Sequence, residues 1–248
     1  SVQADPNAEF GRALRLDVDY EEPPEQVNHV LNLTYRHGNI FGSQLDAQVY
    51  YRDTELVQIF TDLRGLGLPP FFPTLWQTTL DDTEIGGRLQ LDTPLGNSAN
   101  LLWGADYSQN DTASPLFVGD VATFDATGRI DIVDTSLDRF AAYELNSLGL
   151  FAQSSWDITD QLQISGGLRY ENVDLSVEDY NLAFRFPRER QGGESSFDDV
   201  LFNAGLLYRP IPEVGIFASF AQGFSIPNLG SSLQGVPSTF SVTDDLLL

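Results

Sequence analysis

Apolar and polar residues alternate one for one along much of this chain. In the clearest stretch, Leu162, Ile164, Gly166, Leu168 and Tyr170 interleave with Gln161, Gln163, Ser165, Gly167 and Arg169. Successive side chains of an extended strand point to opposite faces, so this pattern specifies a sheet with one apolar and one polar face. It recurs over Leu14–Tyr20, Val27–Tyr35, Leu45–Tyr51, Ile85–Leu91, Leu101–Tyr107, Leu148–Trp156, Val200–Tyr208 and Val214–Phe220. That makes nine candidate strands, each keeping its pattern for roughly 8 to 12 residues, long for a globular strand and close to what a tilted membrane strand needs. After Tyr170 the phase slips to Val173, Leu175 and Val177. A bulge, or a strand leaving a bilayer with both faces wet, would produce such a slip.

The connections carry a second pattern. His37–Gly42, Thr93–Ser98, Ile158–Gln161 and Pro210–Glu213 are short and hold the Gly, Pro, Asn and Asp that tight turns require. Ile59–Thr78, Asn110–Tyr143 and Asp179–Ser196 are long, with Glu21–Gln26 the exception. Short and long connections alternate, which in an up-and-down barrel places all short turns at one rim and all long loops at the other. A soluble β-sandwich also alternates polar and apolar residues, but its two ends carry mixed connections. Tyr20, Tyr35, Tyr50, Tyr51, Trp103, Tyr107, Trp156, Tyr170 and Tyr208 gather toward strand ends, as the aromatic girdles of a membrane barrel do. Arg15, Asp17, Arg36, Asp46, Arg52, Arg88, Asp92 and Asp106 fall on polar faces and suit a water-filled lumen. The expected fold is therefore all-β: an antiparallel, up-and-down transmembrane barrel. Nine strands in that order leave the first and last parallel, whereas single-chain bacterial barrels close with an even number. Residues 1–248 thus read as one partial barrel domain.

Composition narrows the function. The formal charge is -23, from 36 acids and 13 bases, which excludes nucleic acid as a main partner because such partners need basic patches. No uninterrupted apolar run approaches the length of a transmembrane helix. Cysteine is absent, so there is no disulfide framework, thiolate metal site or cysteine nucleophile. The chain opens at Ser1-Val2-Gln3 with no basic n-region or apolar h-region, so a signal peptide is expected outside it. There is no Gly-x-Ser-x-Gly elbow, and His29 and His37 form no metal pair. No enzymatic activity, cofactor or metal site is expected.

The segment Phe217-Ala218-Ser219-Phe220-Ala221-Gln222-Gly223-Phe224-Ser225-Ile226-Pro227-Asn228-Leu229 resembles a stretch in the barrels of TonB-dependent receptors, where an aromatic-rich strand ends in a Gly-Phe-x-x-Pro-x-Leu run. Gly166-Gly167-Leu168-Arg169-Tyr170-Glu171 and Leu150–Asp160 are similar to the preceding strand and hairpin of that family. The resemblance covers the chain from about Val27 onward. It implies about nine strands of a barrel of about 22 with a plug in its lumen, active uptake of a ferric siderophore, coupling to TonB, and residence in the bacterial outer membrane among lipid and lipopolysaccharide. No TonB box, plug motif or closing terminal aromatic is present, so the plug domain is expected to be absent. Val177-Glu178-Asp179-Tyr180 and Leu89–Leu95 look most like cyanobacterial members similar to ferric aerobactin receptors, which implies a hydroxamate-citrate siderophore. A soluble all-β binding or adhesion module and an unplugged porin-like channel remain as alternatives.

Such ligands are anionic and call for arginine and aromatic side chains. The candidates on long loops are Arg64 with Phe71, Phe72 and Trp76; Arg129 and Arg139; and the cluster Arg185, Arg188 and Arg190. Asp120, Asp125, Asp131, Asp134 and Asp138 could bind divalent cations bridging lipopolysaccharide, but their spacing fits no compact calcium loop, and a solvated loop is the stronger reading.

Overall fold

The computed structural model of the chain describes residues 24–245 apart from 59, 65 and 227. Along the chain come β1 (Glu25–Ile40), β2 (Ser43–Val57), β3 (Thr61–Asp62), β4 (Leu75–Leu95) and β5 (Ala99–Gly119). Helix α1 (Val121–Thr127) follows, then β6 (Ile132–Thr159), β7 (Leu162–Val177) and the small hairpin β8 (Tyr180–Asn181) and β9 (Glu189–Arg190). The last elements are β10 (Gly193–Ile211), β11 (Val214–Ala221), α2 (Leu229–Gly235) and α3 (Val242–Asp245). The long strands form one antiparallel sheet in the order β1-β2-β4-β5-β6-β7-β10-β11, with β3 added beside β4. Eight of the nine candidate strands are in this sheet. The ninth, Leu14–Tyr20, lies outside the described residues. Among the described residues β1 pairs only with β2 and β11 only with β10, so the sheet is open.

Register carries the period-two pattern across the whole sheet. One row runs Tyr35, Ala47, Leu89, Ala105, Leu150, Tyr170 and Val200, each the partner of the next, on the apolar face. A row on the opposite face runs Thr34, Gln48, Arg88, Asp106, Gly149, Glu171 and Asp199. The apolar face is uncovered: Leu33 is 65% and Leu150 47% exposed. Tyr50 is an exception to the girdle reading. It lies on the polar face, flat against Gly86, and donates to Glu84.

The strands extend beyond the alternating segments. β6 has 28 residues, and β4 and β5 have 21 each. Most of the expected loop Asn110–Tyr143 is strand, and the true connection is 120–131 around α1. The ladder continues where the alternation stops because hydrogen bonding is indifferent to side chains, whereas the pattern records only what each face meets. The short connections 41–42, 96–98, 160–161 and 212–213 share one rim, and the long ones share the other. In the first turn Gly42 takes φ 86°, which glycine adopts without steric cost, and its N–H is accepted by Asn39.

The packed core sits wholly at the long-loop rim, in three clusters. Phe60, Leu75, Phe124 and Ile130 form one; Leu116, Leu137 and Ala183 another. The largest joins Leu175, Val177, Tyr180, Leu182, Leu229, Leu233 and Val242 with Ala141. The phase slip of β7 is explained here. Pairing to β6 and β10 runs without interruption through Val177, so there is no bulge. Val173, Leu175 and Val177 continue on the face of Arg169 and Glu171 and are buried, Leu175 and Val177 directly under the 222–245 segment. Below Tyr170 the apolar side chains face outward; above it they face inward beneath the loops.

Candidate functional site

The polar face is a braced wall. Arg169 on β7 reaches across β6 and grips Asp106 on β5 with two hydrogen bonds of 2.9 and 2.7 Å, while its Nε pairs with Glu171. Gly149 lies beneath this bridge, and a Cβ there would collide with the guanidinium. The Phe151 ring passes over Gly104 in the same manner, with the Arg88 guanidinium 4.8 Å from its centroid. Arg36 pairs with Asp46 at 2.6 Å, and Arg52 pairs with Glu84. Glycine opposite a large side chain lets that side chain lie flat across the sheet.

Above this wall, at the loop rim, α2 roofs a cavity of about 600 Å³. The wall contributes Arg52, Asp82, Thr112, Arg139 and Tyr143; the roof contributes Asn228, Ser231 and Gln234. Helix α2 is split lengthwise. Leu229 and Leu233 are buried in the largest core cluster, and the three-residue spacing of Asn228, Ser231 and Gln234 turns a polar stripe into the cavity. Asn228 caps the helix by accepting from the Ser231 N–H. Gly230 lies against the Phe140 ring. Asp82 accepts from Asn110 and Thr112. Arg139 makes one side-chain hydrogen bond, to Gln58 Oε1 at 3.3 Å, and no ion pair among the described residues, while Gln234 Nε2 donates to its carbonyl.

The other sequence candidates are dispersed. Arg64 is bound by Asp62 and Asp125 and sits over Phe124; its carboxylate partners hold its pKa above the ordinary arginine value. It ties its loop to helix α1 and does not join Phe71, Phe72 and Trp76. Phe71 and Phe72 pack on each other at 5.1 Å, and the three rings pack against Phe184 and Phe186 of the connection between β7 and β10, at centroid distances of 5.4 to 5.8 Å. Arg129 pairs with Asp131 on the surface. The arginine cluster does not act as one. Arg185 is exposed, Arg188 donates to the Phe71 carbonyl, and Arg190 is buried, donating to the carbonyls of Pro187, Glu189 and Val236. Arg190 thus ties α2 to β9.

The acidic loop residues are individually engaged. Asp120 caps α1, Asp125 pairs with Arg64, Asp131 with Arg129, Asp134 accepts from Ser136, and Asp138 accepts from the Asn181 N–H. Hydrogen bonds from Thr123 hold the Asp120 carboxyl below the usual range, and burial holds that of Asp138 above it. Among the described residues no group of three or more His, Cys, Asp or Glu is placed to hold a metal ion. Arg52, Gln58, Asn228, Ser231 and Gln234 were not among the sequence candidates. Only the three-residue spacing of the polar α2 residues offered a signal.

A family model described as TonB dependent receptor-like, beta-barrel matches residues 3–245. The ferric aerobactin receptor of Klebsiella pneumoniae is 26% identical over 223 residues, covering 84% of this chain and 30% of that protein. The rhizobactin receptor of Rhizobium meliloti (strain 1021) is 27% identical over 218 residues, covering 83% and 29%. Among solved structures, the copper transporter OprC superposes with a TM-score of 0.62 at 16% identity, over 78% of this chain and 29% of that one. The ferric yersiniabactin uptake receptor FyuA from Yersinia pestis does so with a TM-score of 0.59 at 13% identity, over 84% and 30%. The chain therefore spans about 30% of the length of the relatives it matches.

Proposed function

The chain belongs to the TonB-dependent receptor β-barrel family, and from that membership we propose that it forms part of the barrel wall of a receptor that imports a ferric siderophore across the bacterial outer membrane. Proteins of this family are transport receptors built as outer-membrane β-barrels. The observation that carries the reading is the sidedness of the sheet. Leu33, Leu150, Trp103 and Phe202 stand uncovered on one face, while Arg36, Arg52, Arg88 and Arg169 all lie on the other. Lipid is the solvent that accepts the first face, and a polar lumen accepts the second. A soluble module would leave an exposed apolar surface of this extent unsolvated. No helix among the described residues is long and apolar enough to cross a membrane, and strands need none.

The ligand in this reading is an anionic siderophore of the hydroxamate-citrate type. Relatives named for ferric aerobactin and rhizobactin support it, as does an arginine without a carboxylate partner in a polar cavity at the loop rim. TonB would supply the energy, through parts of the receptor beyond this wall. Lipopolysaccharide would surround the outer half of the apolar face. The test is growth on limiting iron of a strain lacking its own receptors and carrying the full-length gene, with ferric aerobactin as the iron source. Growth that disappears when TonB is deleted is the expected result. Growth that persists without TonB would mean an open channel. Recovery of the folded protein in buffer without detergent would overturn the membrane assignment.

A further inference from the structure

We propose that the cavity beneath α2 is a carboxylate subsite and that Arg139 is the side chain that binds the ligand's carboxylate there. This rests on the receptor reading above and adds to it where one group of the ligand sits.

The charged side chains lining the cavity are Arg52, Asp82 and Arg139. Arg52 is neutralised by Glu84, and Asp82 is held by Asn110 and Thr112. Arg139 is left. A guanidinium offers five N–H donors, and one of them is used, weakly, by Gln58. Elsewhere Arg36, Arg64, Arg129 and Arg169 are paired with acids, Arg188 and Arg190 donate to backbone carbonyls, and the Arg88 guanidinium lies over the Phe151 ring; of the charged groups lining the cavity beneath α2, Arg139 is the one whose donors stay largely unused. A carboxylate matches the fork of a guanidinium with two parallel hydrogen bonds. The volume, about 600 Å³, is within the range of small-molecule sites.

The subsite is built before the ligand arrives. The roof is anchored by Leu229, Leu233 and Val242, each at most 4% exposed. Tyr180 Oη donates to the Leu233 carbonyl at 3.0 Å, and Gln234 holds the main chain of Arg139 at 3.2 Å. Binding therefore does not have to order either the roof or the backbone carrying the arginine, and affinity is not lost to that ordering. Gln58 and Gln234 are positioning residues; Arg139 is the contact.

The experiment uses the full-length receptor in detergent and two probes, ferric aerobactin and the same complex with its free carboxylates methyl-esterified. Arg139→Gln should weaken binding of ferric aerobactin by about tenfold to a hundredfold, the worth of a hydrogen bond to a charged group, and leave the ester's affinity unchanged. Arg139→Lys keeps the charge and loses the fork, so its affinity for ferric aerobactin should fall between the two. Because the lysine variant conserves the cation, it covers the case in which Arg139→Gln does not fold. Equal losses for both probes, or no loss for either, would overturn the subsite while leaving the receptor reading standing. If the unaltered receptor binds neither probe, the hydroxamate-citrate reading fails and the subsite falls with it.

Discussion

At the loop rim, Leu175, Leu229 and Leu233 are buried by other residues of this chain. Midway along the sheet, Leu33, Leu150 and Phe202 project from it with none of the described residues covering them. The backbone is the same antiparallel ladder in both places. The difference is what each region uses as its apolar solvent: the loops themselves at the rim, and lipid along the middle. Which face carries the apolar residues follows from that. β7 shows both solutions within one strand, with Leu168 outward and Leu175 inward.

Substitutions should separate the two regions. The largest effect is expected for Leu233→Ala, which empties a fully buried site and should cost about 2–5 kcal/mol, read as faster proteolysis of the 222–245 segment in the intact receptor. Leu150→Ala, on the uncovered face, should leave that proteolysis unchanged; if it does not, the two regions are not independent. Next is Leu150→Arg. A cation on the lipid face near mid-membrane should cost about 2–4 kcal/mol in urea unfolding from vesicles, whereas Gln153→Arg, on the polar face, should cost far less. Equal costs would break the assignment of faces.

Gly149→Ala tests the braced wall. The new methyl must displace the Arg169 guanidinium from Asp106, with an expected cost of about 1–3 kcal/mol. In the Arg169→Ala background that cost should disappear, and a full cost there would mean that Gly149 matters for another reason. The smallest effect is a pH dependence at Asp138. Burial raises its pKa in the folded state, so the folded form holds its proton more tightly than the unfolded form. Its contribution is then most favourable at low pH and declines as pH rises through the raised value. Hydrogen exchange of the Asn181 amide, which the carboxyl accepts, should slow as pH falls toward 4 after correction for intrinsic rates. Asp138→Asn, which keeps an acceptor, should flatten the profile.

The centres of all eight described long strands were legible because their alternation runs through a band where one face meets a single apolar medium. Their ends were not. Asn110–Gly119 and Ile132–Tyr143 are ladder without alternation, since there the faces meet water, loops and one another in turn. The slip at Tyr170 was visible as a slip, but its cause, a roof folded back over Leu175 and Val177, lies about 55 residues further along the chain. The arginines were legible only as a type. Arg190 and Arg64 looked as available as Arg139; besides near neighbours at Pro187, Glu189 and Asp62, each is held by a partner far along the chain, Val236 and Asp125.

By itself, then, the sequence determined that this chain makes a two-faced antiparallel sheet with its long loops on one rim. Alternation is a property of the extended backbone, and turn chemistry is local, so both can be read residue by residue. The tertiary structure decided where the packed core lies and which arginine lines the cavity beneath α2 with no carboxylate bound to it. Both depend on which distant segments meet: the closing of α2 over β6 and β7 buries Leu229 and Leu233 and, by the same contact, leaves Arg139 lining a cavity with no carboxylate bound to its guanidinium.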